Sequence, residues 1–508
     1  MENVTDKRKA ALEGNAVFYT FLLLYTGVVI YLCSRLNVWV DETYTLNTTS
    51  RNLKEVISQA YNFEGQPPVY FVLLSFWRYI SSDVFFARLF SVGCVGIAAG
   101  VFYRLVKGVA VNISSKWMTV IFLLNPFTVW AALEIRLYAF ALMLSVIALY
   151  YFFLYYNENK KKYLYFFIVT CLIGVYTQYF FTVLIASLAI SVLVCKGWKS
   201  CFSFCLYLLP VALLFLPNLL FLPEQIRMAQ TEKIEYSLSE KFTLALHSPQ
   251  NLMFAVQALD ADRKIRWLIS ALFILPLVYA YYRLYKKNRA AKNRQFLNTS
   301  MIILAVGFFV LMLSIVAAVL GVDYQDRYVT PAYPLFVLIF TLFATFSFWG
   351  SRLLWGMLAA FYIMLLFFNY RSMVKQYDFR SVTNYISTIE HKAEPVLVYH
   401  GTVSLSFMYY YKGQNTVVPL PGPIQYNSST FLDEITDTTV LKKAIEAVPS
   451  NSPSYLLVSD LAEEKYAVDP NRKKINDYLN THYAISLDTL YYGNSKDRPL
   501  RIRRLEKK

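Results

Sequence analysis

The chain has 508 residues, of which 57% are hydrophobic, 17% aromatic and only 16% charged, and its mean hydropathy is +0.40. Soluble globular proteins carry more charge than this, so the composition excludes a string of ordinary soluble domains and indicates an integral membrane protein. The formal net charge of +16 does not indicate nucleic-acid binding, because the Lys and Arg residues lie in short clusters between apolar runs.

Apolar runs of about the length that spans a bilayer recur along the chain. The first, near 16–36, follows Lys7-Arg8-Lys9 and is longer than the apolar core of a signal peptide, so we expect it to be retained. With the later runs, the predicted total is about eleven spans. The later runs lie near 84–106, 117–133, 137–156, 163–178, 179–195, 201–222, 266–285, 298–320, 331–349 and 352–370.

The short basic clusters predict the sidedness of these spans. A cytoplasmic N-terminus places every one of them in a cytoplasmic turn, as the positive-inside rule requires. The clusters are Lys107 with Lys116, 160–162, Lys196 with Lys199, 286–294 and Arg352. The same topology predicts that 37–83, 133–137, 223–265, 321–330 and everything after about 371 lie outside the cytoplasm.

Residues 1–370 are therefore expected to form a transmembrane domain, and 371–508 a separate soluble domain. In the soluble domain, apolar runs at 396–399, 416–418 and 455–458 predict strands, and 404–412 and 436–447 look helical. This alternation favours an α/β fold. Before the second span, Pro67-Pro68 opens an aromatic stretch to Ile80 that is too short to span, which favours an interfacial helix.

Charged residues gather in the loops predicted to lie outside. Asp41 and Glu42 follow the first span, where a carboxylate can act as a general base, or can simply be an exposed loop charge or helix cap. Glu134 and Arg136 lie in a very short turn, where charges are costly and often functional, although an Arg-Glu pair could merely close the hairpin. Arg327 could bind a phosphate or anchor the membrane interface.

Other motifs indicate what the protein does not use. Glu64-Gly-Gln66-Pro-Pro is typical of a turn, although its carboxylate and amide would face the same outer side. The sequence has no zinc motif, no phosphate-binding Gly loop and no Gly-x-Ser-x-Gly element. Nucleotide-dependent chemistry is therefore disfavoured.

Several of these motifs, taken in order, resemble those of family 39-like glycosyltransferases of the GT-C fold, over about residues 15–370. This superfamily includes protein O-mannosyltransferases and the bacterial transferases that attach aminoarabinose to lipid A. The motifs are Val40-Asp-Glu-Thr-Tyr, Gln66-Pro-Pro-Val-Tyr-Phe, Ala87-Arg-Leu-Phe-Ser, Asn125-Pro-Phe, Leu133-Glu-Ile-Arg-Leu-Tyr-Ala and Asp326-Arg-Tyr-Val-Thr-Pro.

The resemblance implies a bacterial inner-membrane enzyme that moves a sugar from a polyprenyl phosphate to a hydroxyl of a lipid, glycan or protein. Asp41 matches the catalytic acid and Glu42 the second acid of its motif. Glu134, Arg136 and Tyr138 match a signature that lines the cavity, and Arg327 matches an element near the lipid phosphate. Together with the predicted topology, which turns Glu64 and Gln66 towards the same cavity, this makes Arg136 and Arg327 the expected ligands of the donor phosphate. Many members of the family carry His or Lys at the position of Gln66, so no charged role is implied there. The resemblance leaves a divalent-cation requirement open.

The charge pattern agrees with an enzyme of this kind. A leaving phosphodiester gains negative charge as the sugar bond breaks, which outer-face arginines can stabilise, and Asp41 could deprotonate the acceptor in a single inverting displacement. The rival hypothesis is a transporter or lipid-linked sugar flippase, which would place ionisable residues near the membrane midplane. The predicted spans carry few such residues. A membrane scaffold that displays its C-terminal domain would leave the charged outer turns unexplained.

Overall fold

The computed structural model describes residues 2–110, 114–231, 239, 247, 251–253, 263–288, 294–320, 325–424, 426, 438–448, 452–460, 470–494 and 499–508. Most of the predicted outer loop 223–265, the basic residues Arg289 and Lys292, and residues 321–324 lie outside these ranges. The chain divides into two compact units. The first comprises Met1–Ser34 and Gly65–Phe368, and the second comprises Arg35–Glu64 and Asn369–Lys508.

The described helices and strands are numbered here in chain order. The helices are α1 (Glu2–Arg35), α2 (Val40–Thr48), α3 (Leu53–Asn62), α4 (Val69–Arg78), α5 (Val84–Val109), α6 (Ser115–Leu124), α7 (Pro126–Leu133), α8 (Tyr138–Glu158), α9 (Lys161–Val175), α10 (Phe181–Lys196), α11 (Trp198–Phe215), α12 (Leu222–Thr231), α13 (Arg263–Asn288), α14 (Arg294–Leu320), α15 (Tyr333–Ile339), α16 (Phe348–Tyr370), α17 (Phe379–Ile389), α18 (Ser404–Tyr410), α19 (Thr438–Glu446) and α20 (Pro470–His482). The strands are β1 (Val396–Tyr399), β2 (Val417–Leu420), β3 (Ser454–Ser459), β4 (Tyr483–Tyr492) and β5 (Pro499–Lys507).

The first unit is a bundle of apolar helices. By length and composition, eight helical segments of the described chain are long and apolar enough to cross a membrane. Large apolar side chains on these helices face outward, such as Leu268, Leu275 and Phe367. Outward-facing apolar surface on long helices is what a lipid environment favours. The predicted polytopic helical membrane architecture is therefore confirmed.

The number of full-length spans is smaller than the sequence predicts. Every predicted span coincides with helical structure, but 117–133 is the pair α6 and α7, bent by 61°. Asn125 caps α7 and Pro126 begins it, which explains the break because proline cannot continue the hydrogen bonding of α6. Counting this pair as one span gives nine.

Two predicted spans, 163–178 and 179–195, correspond to helices of only 15 and 16 residues, α9 and α10. At 1.5 Å per residue each is about 24 Å long, which is less than the ~30 Å of a bilayer core. The described helices thus support eight or nine full-length spans, not about eleven.

Pairwise packing around α5 and α8 builds the inside of the bundle. The helix α5 contacts α6, α7 and α8, and α8 also contacts α9 and a 3₁₀ helix at Asp326–Ala332. The rings of Phe102 and Phe122 stack with their centroids 4.5 Å apart, and both side chains are fully buried. These contacts fix the ends of α7 and α8, where the charged turn lies.

The second unit contains a five-stranded mixed sheet in the order β2-β1-β3-β5-β4. The strands β2, β1 and β3 are parallel, whereas β5 is antiparallel to β3 and β4. The alternating side chains of β1 and β3 feed two cores, one on each face of the sheet. The helices α19 and α20 cover one face, and α17 and α18 cover the other. The predicted C-terminal α/β fold is therefore confirmed.

The compact units do not follow the predicted domain division at residue 370 throughout. Residues Arg35–Glu64, which the sequence groups with the transmembrane domain, belong to the compact unit of the C-terminal sheet. This segment carries α2 and α3. The helix α4 forms where the sequence predicts an interfacial helix, and its interfacial location remains a prediction.

Candidate functional site

The residues predicted for the site fall into both compact units. Asp41, Glu42 and Glu64 belong to the unit of the C-terminal sheet, and Gln66, Glu134, Arg136, Tyr138 and Arg327 belong to the helical unit. Each group has its own geometry.

In the first group, Asp41 and Glu42 occupy the opening turn of α2. Acidic residues are favourable there because the unpaired backbone N–H groups of a helix N-terminus attract negative charge. The side chain of Glu42 is fully buried, whereas that of Asp41 is only half-buried. Of the two adjacent acids, Asp41 is the more accessible to solvent.

Both carboxylate oxygens of Glu42 have partners. The backbone N–H of Trp39 donates to Oε2 at 3.4 Å, and Nζ of Lys375 lies 3.0 Å from Oε1. The Lys375 side chain is itself only 8% exposed. Glu42 therefore helps to cap α2 and forms a buried ion pair. No local pattern in the sequence links Lys375 to Glu42, because the two residues are 333 positions apart.

Glu64 lies where the segment with α2 and α3 ends. Its Oε1 accepts a hydrogen bond from the hydroxyl of Thr48, at 3.2 Å, which joins it to the last turn of α2. The next residue, Gly65, has a φ of +63°, a conformation that glycine adopts without steric cost. Glu64 thus links the end of this segment to the last turn of α2. Gln66, two residues further along the chain, is half-buried.

In the helical unit, Glu134 and Arg136 lie in the short break between α7 and α8. Glu134 is 2% exposed and Arg136 is 8% exposed. The hydroxyl of Ser91 on α5 donates to the backbone carbonyl of Glu134 at 2.6 Å, which fixes the break against α5. A guanidinium held in the interior of an apolar helical unit is costly, and such charges are commonly retained for function.

Arg327 approaches the start of α8. Its guanidinium carbon lies 5.9 Å from the centre of the Tyr138 ring, within the range of a cation–π contact. Arg327 lies in the 3₁₀ helix Asp326–Ala332, which begins a candidate span instead of preceding it in a loop. The structure thus brings together two predicted residues that are far apart in sequence.

Asp326, the residue before Arg327, is held by hydrogen bonds from the part of the chain that connects α12 to α13. Asp326 accepts hydrogen bonds from the side-chain amide of Asn251, the shorter at 3.1 Å. The carbonyl of the neighbouring Leu252 in turn accepts a hydrogen bond from the amide of Asn125, at 3.0 Å, at the bend between α6 and α7. The position of Arg327 therefore depends on a polar network that the sequence analysis did not predict.

No metal site emerges from the described part of the chain, in which no group of three or more His, Cys, Asp or Glu side chains is arranged to hold an ion. Buried or half-buried arginines of the helical unit include Arg88, Arg136 and Arg327.

Comparisons with known proteins find matches among solved structures. No protein-family model matches the chain, and no curated protein matches it. Among solved structures it is similar to ArnT from Cupriavidus metallidurans in the apo state, with 12% identity and a TM-score of 0.41, and to ArnT from the same organism bound to undecaprenyl phosphate, with 12% identity and a TM-score of 0.38. Each similarity covers 97% of this chain and 98% of the other.

Proposed function

We propose that this protein is an integral-membrane glycosyltransferase of the GT-C type, which moves a sugar from a polyprenyl phosphate to an acceptor hydroxyl on the outer face of the membrane. The observation that carries the proposal is the burial of Arg136 in the break between two apolar helices. A positive charge at the end of a membrane span suits a ligand that brings its own negative charge through the lipid. A polyprenyl phosphate is such a ligand.

The proposed role of Arg136 and Arg327 is to bind the donor phosphate. When the bond from the sugar to the phosphate breaks, the phosphodiester becomes a monoester and gains negative charge. Guanidinium groups in fixed positions stabilise that charge most strongly where water is scarce. The contact with Tyr138 holds the Arg327 side chain, and the fold around the break holds Arg136, so little reorganisation is needed.

The proposed role of Asp41 is that of general base. The acceptor hydroxyl transfers its proton to the Asp41 carboxylate as its oxygen bonds to the anomeric carbon, and the polyprenyl monophosphate leaves from the opposite side. One displacement of this kind inverts the anomeric configuration. The half-buried state of Asp41 supports this role, because a general base must be reachable by the acceptor and the side chain of the neighbouring Glu42 is fully buried.

The donor carries its own activation in the polyprenyl phosphate, so the proposed reaction needs no nucleotide.

A transporter or lipid-linked sugar flippase is the alternative. A transport path would require ionisable groups along the spans, whereas Tyr138–Glu158 and Arg294–Leu320 each carry a single charged residue, at one end of the helix. The placement of Glu134 and Arg136 at a helix break, away from the middle of a long span, supports the enzyme.

The decisive experiment compares cells that lack the gene with cells that express the wild-type protein or Asp41→Asn. Mass spectrometry of total lipid extracts should reveal a polyprenyl-phosphoryl sugar that accumulates without the gene and disappears with the wild-type protein. Asp41→Asn keeps the size of the side chain but removes its basicity, so the lipid should still accumulate while thermal melting of the purified variant stays normal.

Glu42→Gln should be less severe than Asp41→Asn if Glu42 only supports the loop. Normal consumption of the lipid by Asp41→Asn would reject Asp41 as the base. A complete block by Glu42→Gln alone would assign the base to Glu42. If no polyprenyl-linked sugar accumulates without the gene, the proposed donor class is wrong.

A further inference from the structure

The Glu42–Lys375 ion pair joins parts of the chain 333 residues apart. Glu42 is fully buried and Lys375 nearly so, with 3.0 Å between the two charged groups. Removal of two charges from water is costly, and a buried pair often stabilises a fold no more than apolar residues of the same shape would. Its presence next to the proposed base therefore calls for a role other than stability.

The ion pair belongs to a set of hydrogen bonds within the second unit that hold the segment before α2 in place. The amide of Asn37 donates to the carbonyls of Lys375, at 3.1 Å, and Tyr377, at 2.8 Å, and the backbone N–H of Lys375 donates back to Asn37. The backbone N–H of Val38 donates to the hydroxyl of Tyr410. These bonds fix the backbone on the N-terminal side of Asp41.

A second set of contacts fixes α2 on the other side of Asp41. The hydroxyls of Thr43 and Ser406 are 3.1 Å apart, and α2 packs against α18. Within α2, Glu42 connects the two sets of contacts. Its Oε2 accepts a hydrogen bond from the backbone N–H of Trp39, and its Oε1 accepts one from the ammonium group of Lys375. The orientation of the first turn of α2 thus depends on the charge of Lys375.

We propose that Lys375 is a positioning residue for the Asp41 carboxylate, acting through Glu42, and that the C-terminal unit thereby holds the catalytic loop. This inference rests on the proposed function. Lys375 touches neither substrate nor the reacting atoms in this scheme. Its ammonium group neutralises Glu42, fixes the first turn of α2 and so sets the direction in which Asp41 points.

The test measures kcat and donor KM for the full-length protein, with the polyprenyl-phosphoryl-sugar fraction purified from cells that lack the gene as donor and an acceptor extract from the same cells in excess. Lys375→Met leaves Glu42 buried without its cation, so we expect kcat to fall by roughly 10–100-fold, the scale of a misplaced catalytic group, while the donor KM stays unchanged. Lys375→Arg keeps the charge and should recover most of the rate.

The double variant Glu42→Gln/Lys375→Met removes both charges and keeps the shape of the turn. It should be more active than either single variant, because neither charge is left buried alone. The matched control is Arg504→Met, which breaks another ion pair of the same unit, to Glu394 at 2.9 Å, that includes no residue of α2. Its melting temperature should fall as that of Lys375→Met does, with kcat unchanged.

Wild-type kcat in Lys375→Met, or an equal loss of kcat in Arg504→Met, would overturn the inference and make Lys375 a purely structural residue. A raised donor KM with normal kcat would place Lys375 in donor binding instead. If Lys375→Met does not fold, Lys375→Arg and the double variant decide by the same comparison. Failure of the proposed function is separate, since it appears as normal turnover by Asp41→Asn.

Discussion

Neighbouring residues of the same type have different surroundings in this protein. Asp41 and Glu42 are adjacent in sequence and both acidic, yet the first is half-buried at the start of α2 and the second is fully buried against Lys375. The sequence could predict a pair of acids after the first span, because the apolar run ends there. It could not distinguish their roles, because the cation that separates them is contributed by a residue far along the chain.

Arginine geometry gives a prediction at the same scale. Arg136→Lys and Arg327→Lys keep the positive charge but lose the planar fork that binds two phosphate oxygens at once. We expect each to weaken binding of undecaprenyl phosphate, used as a probe, by about tenfold or more, or about 1.4 kcal/mol. Titration of the purified protein in lipid nanodiscs, followed by native mass spectrometry, measures this.

The matched control for these variants is Arg104→Lys, because Arg104 is exposed near the end of α5. Binding should not change in this variant. Equal affinity in all three variants would show that charge alone holds the probe, and wild-type affinity in Arg136→Ala and Arg327→Ala would remove both residues from the phosphate site.

Helices were easier to predict than the elements that shape the site. Long apolar runs marked α5, α8 and α14, because a span needs about 20 apolar residues and little else. The bend at Asn125-Pro126 was hidden inside one apolar run. Whether such a break continues a span or divides it depends on neighbours such as Leu252, which no local pattern reveals.

The sheet shows the same contrast. The strands β1, β2 and β3 are predictable because each contains a continuous apolar run, which is fully buried in β1 and β3 and mostly half-buried in β2. The edge strand β4 alternates half-buried and exposed residues, and β5 carries several charged residues, so neither has that composition. Their pairing is non-local and had to be seen in the structure.

Glu394 gives a pH prediction for the sheet. It accepts hydrogen bonds from Arg504 of β5, at 2.9 Å, and from Ser454 of β3, at 2.6 Å. Burial opposes ionisation of this carboxyl, but the hydrogen bonds and the charge of Arg504 outweigh it and hold the pKa of Glu394 below its ordinary value of 4.5. A lowered pKa means that ionised Glu394 stabilises the fold above that value, and that the contribution is lost as the pH falls.

We therefore expect hydrogen exchange in 394–399 and 499–507 of the full-length protein to accelerate, beyond the intrinsic change in rate, as the pH is lowered from about 6, with most of the change below the ordinary value of 4.5. Glu394→Gln should exchange faster already at the upper pH and depend less on pH. Glu446→Gln is the control, because that exposed side chain lies 3.8 Å from Lys442 on α19. An unchanged pH dependence in Glu394→Gln would assign the effect to other carboxylates.

At the scale of the whole molecule, the two compact units divide the predicted chemistry. The proposed phosphate ligands belong to the helical unit, and the proposed base belongs to the unit of the C-terminal sheet, which takes in residues 35–64. Hydropathy could not predict this division, because it detects where the chain leaves the membrane and not which part of the fold then binds the loop. The C-terminal unit is accordingly proposed as part of the catalytic machinery.

The side of the membrane on which the C-terminus lies depends on whether the number of spans is odd or even. Nine spans, with α6 and α7 counted as one, or about eleven, with the shorter α9 and α10 added, both give an odd number. Since α9 and α10 follow each other, they cross together or turn back together, and neither case alters the outcome. A cytoplasmic N-terminus then places Lys508 outside.

Alkaline phosphatase, which is active only outside the cytoplasm, should be active when fused after Lys508. It should be inactive when fused after Glu158, because an even number of predicted spans precedes that position and the basic residues 160–162 follow it. If the fusions after Lys508 and after Glu158 were both inactive, an even number of spans would follow Glu158, and an outer-face role for residues 369–508 would be excluded.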